Sequence, residues 1–127
     1  MGDRGNIVVR QGDTNRDDVW FYTHWCGTEI KETVAKALGK RLRWTDPSYL
    51  ARIMFDVLTD GQTGSETGFG ISSQIGDNEY PIVVVDCPNQ KVWVIEEDQL
   101  MDDRLPNAFK PAKVFTFGEW ITKHLPK

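Results

Sequence analysis

Val19-Trp20-Phe21-Tyr22-Thr23-His24-Trp25-Cys26-Gly27-Thr28-Glu29 is the stretch in which the chain passes from strand to helix. It holds two of the five Trp, one of the two His and one of the two Cys. Aromatic and β-branched residues in succession favour an extended chain. Alternation then places Trp20, Tyr22, His24 and Cys26 on one side and Val19, Phe21, Thr23 and Trp25 on the other. Gly27-Thr28-Glu29 ends the strand and opens a helix, so a His, a Cys and an indole are expected beside a helix N-terminus.

Upstream, Asn6 to Gln11 is a short β-branched run closed by the turn-rich Gly12-Asp13-Thr14-Asn15. It is expected to pair with the Val19 strand as a hairpin. Downstream, Thr28 is placed to cap a helix in which Ile30, Val34, Ala37, Leu38 and Leu42 recur at helical spacing, with Gly39 as a weak point. Asp46-Pro47 starts a second helix, whose stripe is Leu50, Ile53, Met54, Val57 and Leu58 and whose end is Gly61. Gly61 to Gly70 is a polar, glycine-rich connection. It lacks the Gly-Lys-Ser/Thr ending of a phosphate-binding loop.

From Phe69 the period becomes two, with Phe69, Ile71, Ser73 and Ile75 on one side until Gly76-Asp77-Asn78-Glu79-Tyr80-Pro81 breaks the strand. Ile82 to Asp86 is the apolar run of a central strand, and Cys87-Pro88-Asn89-Gln90 turns it into another strand, Lys91 to Glu96. An irregular acidic segment follows, through Leu105-Pro106 and Lys110-Pro111. The last helix opens on a capping box, Thr116-Phe117-Gly118-Glu119, with Phe115 placed as a hydrophobic staple against Trp120. It buries Phe117, Trp120, Ile121 and Leu125 and stops at Pro126.

The order is ββααβββα. It predicts one α+β domain over residues 1–127: a mostly antiparallel sheet of about five strands with three helices in a second layer. A chain of 127 residues buries roughly two thirds of its unfolded surface and folds without staples. Two unpaired Cys and the lack of an apolar signal segment point to a reducing, cytoplasmic setting. No apolar run approaches the roughly twenty residues of a membrane span. A formal net charge of −4 argues against general nucleic-acid binding, which neutralises phosphates with Lys and Arg. Local charge is uneven. Lys36, Lys40, Arg41 and Arg43 lie together, and Glu96, Glu97, Asp98 and Asp102 form an acidic face.

Three stretches look alike in a group of small phage and bacterial proteins with no assigned chemistry: Met1-Gly2-Asp3-Arg4 with Asn6-Ile7-Val8-Val9, Tyr22-Thr23-His24-Trp25 with Gly27-Thr28-Glu29, and Gly76-Asp77-Asn78-Glu79-Tyr80-Pro81. The chain resembles that group over most of its length. The resemblance implies a counter-defence role: sequestering a nucleotide-type immune signal or blocking a host immune protein.

Catalytic chemistry has one compact candidate, Cys26 as nucleophile with His24 as base. Residues two apart on a strand have Cβ atoms roughly 7 Å apart, beyond direct hydrogen-bond reach. Two His and two Cys in unrelated places lack the short spacing of zinc ligands, so neither a metal nor another cofactor is expected. Asp77 and Glu79 as a carboxylate pair are equally ordinary turn formers. A binding site asks for less. Trp20, Tyr22, His24 and Trp25 offer a stacking surface, Gly27 and Thr28 offer backbone N–H groups at a helix start, and Asp77, Asn78, Glu79 and Tyr80 offer a second polar corner. Arg41, Arg43 or Arg52 would compensate Glu29 and Glu32 there if the fold brought one near. The leading expectation is a non-enzymatic domain, homo-oligomeric, that holds a small polar or nucleotide-like ligand between the two corners. The alternatives are an inhibitor that binds a protein through its acidic and aromatic surfaces, and a small Cys/His-dependent hydrolase or transferase.

Overall fold

A computed structural model describes residues 2–12, 17–64, 66–100 and 113–126. Among them six strands form one sheet: β1 (Gly5–Arg10), β2 (Val19–Thr23), β3 (Phe69–Ser72), β4 (Ile82–Asp86), β5 (Lys91–Ile95) and β6 (Lys113–Thr116), in the spatial order β3-β2-β1-β4-β5-β6. Three helices, α1 (Ile30–Gly39), α2 (Pro47–Thr59) and α3 (Phe117–His124), complete the α+β fold. The hairpin β1–β2 is antiparallel, with Ile7 opposite Phe21. The central pair is parallel: β1 lies beside β4, with Ile7 opposite Val83 and Val9 opposite Val85.

Two expectations need correction. Four of the five strand pairings among the described residues are antiparallel, as expected, but the central one is parallel, so the sheet is mixed, and it has six strands in place of about five. Both β1 and β4 are buried on each face, every residue of each, and that double burial is the environment a parallel pair requires. The additional strand, β6, pairs with β5 (Val92 opposite Phe115) and runs directly into the capping box of α3. Phe115 does meet Trp120, with ring centroids 5.1 Å apart, but from within that strand. The acidic stretch around Leu105-Pro106 and Lys110-Pro111 lies outside the described residues.

Ile7, Val9, Phe21, Val83, Val85 and Val92 project to the helical side, where Val34, Leu38, Leu50, Met54, Phe117 and Trp120 close the main core. On the opposite face Val8, Trp20, Ile82, Val84 and Ile95 form a smaller cluster, with Ile75, Trp93 and Leu100 packed against it. This second face also carries a charged pair, Arg10 Nε 3.6 Å from Asp18 Oδ1, with both side chains buried. Burial pushes the Asp18 carboxyl up to about 7; Arg10 opposes the rise and Asp86 adds to it.

The caps follow the local chemistry. Asp46 accepts from the Tyr49 N–H with Pro47 in the first turn of α2, and Thr116 and Glu119 complete their reciprocal box. α1 ends at Gly39 and α2 at Thr59. The two helices are antiparallel. α1 starts beside Gly5, close to Ile30, and its far end is tied through Trp44, which donates to the Leu38 carbonyl, to the end of β4 at Cys87. α2 starts beside Gln11, which donates to the Pro47 carbonyl, and the chain then returns to β3. Among the described residues no helix is long and apolar enough to cross a membrane.

Candidate functional site

Strand alternation stops at Thr23, so the four residues expected to share a face do not. Trp20 is buried in the second-face core and is unavailable to a ligand. Tyr22 is half-buried, and His24 and Trp25 leave the strand in a bend. The Tyr22 hydroxyl lies 2.9 Å from His24 Nδ1. The Trp25 indole stands edge-on to the His24 ring at 4.3 Å and is 59% exposed.

The two corners do meet, joined by the segment before β1. The Asp3 N–H donates to the His24 carbonyl (2.7 Å), and the Gly27 N–H donates to the Asp3 carbonyl (2.8 Å). One residue on, the Glu79 N–H donates to the Arg4 carbonyl, and the Arg4 N–H donates to Glu79 Oε2 (2.7 Å). Arg4 also pairs with both carboxylates of the turn, Glu79 at 3.3 Å and Asp77 at 3.4 Å. Asn6, fully buried at the start of a β-branched run, donates from Nδ2 to the Asp77 carbonyl and to Asn78 Oδ1, each at 3.1 Å, while its Oδ1 accepts from the Gly76 N–H (3.0 Å). Asn78 donates in turn to the Tyr80 carbonyl and to Glu97.

Glycine is required at two of these contacts. A Cβ on Gly27 would lie 2.6 Å from the Tyr80 ring, and one on Gly76 would lie 2.7 Å from the Tyr22 ring. His24, Trp25, Gly27, Thr28, Asp77, Asn78, Glu79 and Tyr80 are thus gathered at one end of the sheet, around Asp3, Arg4 and Asn6. These three were missed as candidates. A polar Asn opening a β-branched strand, with no solvent face to occupy, was the available signal.

The helix start at this corner differs from expectation. Thr28 stands in a single 3₁₀ turn, Gly27–Glu29, ahead of α1, and in place of capping the helix it donates, from both N–H (3.2 Å) and hydroxyl (2.7 Å), to Asp3 Oδ2. The Tyr80 hydroxyl and Thr28 hold the Asp3 carboxyl below its ordinary range. The backbone donors expected to meet an external anion are therefore taken within the chain, Thr28 by the Asp3 carboxylate and Gly27 by the Asp3 carbonyl. Arg41, Arg43 and Arg52 do not come near Thr28. They belong to the turn and first half of the helix at the opposite end, where Gln11 meets Pro47.

Cys26 points elsewhere. It borders a groove of about 820 Å³ between α1 and α2, with Glu29, Glu32 and Thr33 near the start of α1, Asp60 and Gln62 past the end of α2, and Lys36, Lys40 and Arg52 toward the other end. Because the helices are antiparallel, the groove is acidic where it meets the His24 corner, while toward the α1–α2 turn Lys36 and Lys40 stand beside the Arg52–Asp56 ion pair. Burial and Glu29 push the Cys26 thiol up, against nucleophile activation, and His24 Nδ1 meets the Tyr22 phenol. Cys87 is buried, donates to the Trp44 carbonyl and is pushed up to about 11. The His124 ring lies tilted against Trp120, with centroids 4.1 Å apart, and burial with Lys31 and Lys123 lowers its pKa. Among the described residues no three His, Cys, Asp or Glu are grouped to hold a metal ion.

Compared with protein-family models, curated proteins and solved structures, the chain matches none.

Proposed function

We propose that the protein is a non-enzymatic binding domain for a small polar ligand of nucleotide size, held in the groove between α1 and α2 that begins at the His24–Cys26 corner. The observation that carries this reading is the groove itself. Its volume of about 820 Å³ suits a drug- or nucleotide-sized molecule, and its charges are graded along its length. The hydrogen-bonded corner lies beside the groove and reaches it through Cys26 and Glu29; Asp3, Asn6 and Arg4 lock its loop ends in place, leaving the Trp25 indole exposed. A raised Cys26 thiol opposes the hydrolase alternative. Sequestration of a nucleotide-type signal, the role implied by the phage resemblance, is the biological form this activity would take.

Native mass spectrometry of gently purified protein tests the reading. An adduct of nucleotide mass is expected, lost on denaturation and absent from Glu32→Trp, which sets an indole into the groove from an exposed helix position. An adduct retained unchanged in Glu32→Trp would overturn the groove as its site. The same spectrum reports the expected homo-oligomer. A second reading, an inhibitor acting through protein contact, is favoured by three consecutive exposed carboxylates, Glu96, Glu97 and Asp98. Charge reversal there is expected to leave a groove ligand bound while abolishing any protein complex.

A further inference from the structure

Between α1 and α2 the chain adopts a left-handed backbone twice within three residues, at Arg41 (φ 55°) and Arg43 (φ 59°). Glycine or asparagine occupies that conformation with least strain; here both positions are arginine. The guanidinium groups are held against aromatic rings. Arg41 Cζ lies 5.5 Å from the Trp44 ring centroid, and Arg43 and Arg52 lie 4.5 and 5.6 Å from that of Tyr49. Lys40 precedes them, and Lys36, Lys40 and Arg52 line the adjoining end of the groove.

This concentration of positive charge is poorly compensated. Among the described residues Arg52 pairs with Asp56, whereas the ion pairs leave Lys40, Arg41 and Arg43 without a carboxylate. The neighbouring Asp46 carboxylate is engaged in capping α2. Like charges gathered on one exposed turn of an acidic protein repel one another unless an anion joins them. A guanidinium seated beside a ring still offers a planar N–H fork matched to phosphoryl oxygens.

We propose that the α1–α2 turn is a phosphate-recognition site, in which Arg43 and Arg52, flanked by Arg41 and Lys40, hold the phosphoryl end of a di- or triphosphate-bearing ligand. The assignment deepens the groove reading and rests on it for the body of the ligand: a nucleoside at the groove, its phosphates at the turn. Phosphates of a single-stranded oligonucleotide present the same chemistry, and the experiment separates the two sources.

Isothermal titration with inorganic pyrophosphate, ADP and a short oligothymidylate, at physiological salt, tests it on the full chain. Wild type is expected to bind pyrophosphate. Arg41→Gly/Arg43→Gly is expected to lose at least tenfold in affinity while its Tm holds or rises, because glycine relieves both left-handed positions. A merely structural role for these arginines predicts a fall in Tm. Arg43→Lys is expected to bind weakly, and full affinity in that variant would overturn recognition by a planar fork. ADP binding tighter than pyrophosphate, with the difference lost in Glu32→Trp, supports both readings. Pyrophosphate binding without any gain for ADP supports the phosphate site and overturns the groove as its nucleoside pocket. No binding of any of the three probes overturns the phosphate site, even where native mass spectrometry shows a groove ligand. Oligothymidylate binding tighter than ADP, with the same arginine dependence, identifies the source as a polymer.

Discussion

Asp18 shows how a single buried group sets a condition for the whole protein. Its carboxyl titrates near 7 in the folded chain against 3.8 for the ordinary group. Between those values the folded state binds the extra proton, so the carboxyl's contribution to stability is complete below about pH 4 and is lost as pH rises through 7. With the opposing pull of Arg10 already included, a rise of this size corresponds to a linkage of a few kcal/mol. Denaturant unfolding from pH 4 to 8 should show this decline in wild type, and Asp18→Asn should lack it. Cys26 gives a second check at this scale. With its thiol pushed up by burial, alkylation at neutral pH should be slower than for free cysteine. Neither behaviour was legible in the sequence. Asp18 sits in a run of ordinary turn residues, and only the fold puts it beside Arg10 beneath the second-face cluster.

At the scale of elements, what was legible is what local chemistry decides. Asp46-Pro47, the Thr116 box, the Cys87–Gln90 turn and the apolar Ile82 run each carry their own instruction, and each stands where it was expected. Thr116→Ala should accordingly cost about 1 kcal/mol in chemical denaturation, through the lost cap of α3. Pairing between distant strands carries no such local signal. The partner of β1 lies beyond two helices, and β6 was hidden because the same residues that pair with β5 also read as the lead-in to a helix. The candidate site divided along the same line. His24, Trp25 and the Asp77 turn could be singled out from composition, but their meeting depends on Asn6, whose amide spans from β1 to Gly76, Asp77 and Asn78. Asn6→Ala, which leaves these buried groups unpaired, should cost about 2–3 kcal/mol. It should also loosen the 76–80 loop, a change seen as faster amide exchange there.

For the molecule as a whole, the order β3-β2-β1-β4-β5-β6 places the two fully buried strands at the centre and two partly exposed ones, β3 with Ile71 and β6 with Val114, at the rims. Native-state hydrogen exchange should follow that order, with β1 and β4 amides opening only on global unfolding and β3 and β6 exchanging first. The central parallel pair has a further consequence, in time. Asn6 and the loop it grips are 70 residues apart in the chain. During synthesis, therefore, the first hairpin and both helices leave the ribosome while the inner edge of β1 is still without a neighbour. Closing so long a loop is slow, and an open apolar strand in the interval is a template for the wrong partner. A nascent chain halted before Ile82 would present that edge to every other copy of itself. For this protein, the hazardous interval of folding is the one between the synthesis of Arg10 and that of Ile82.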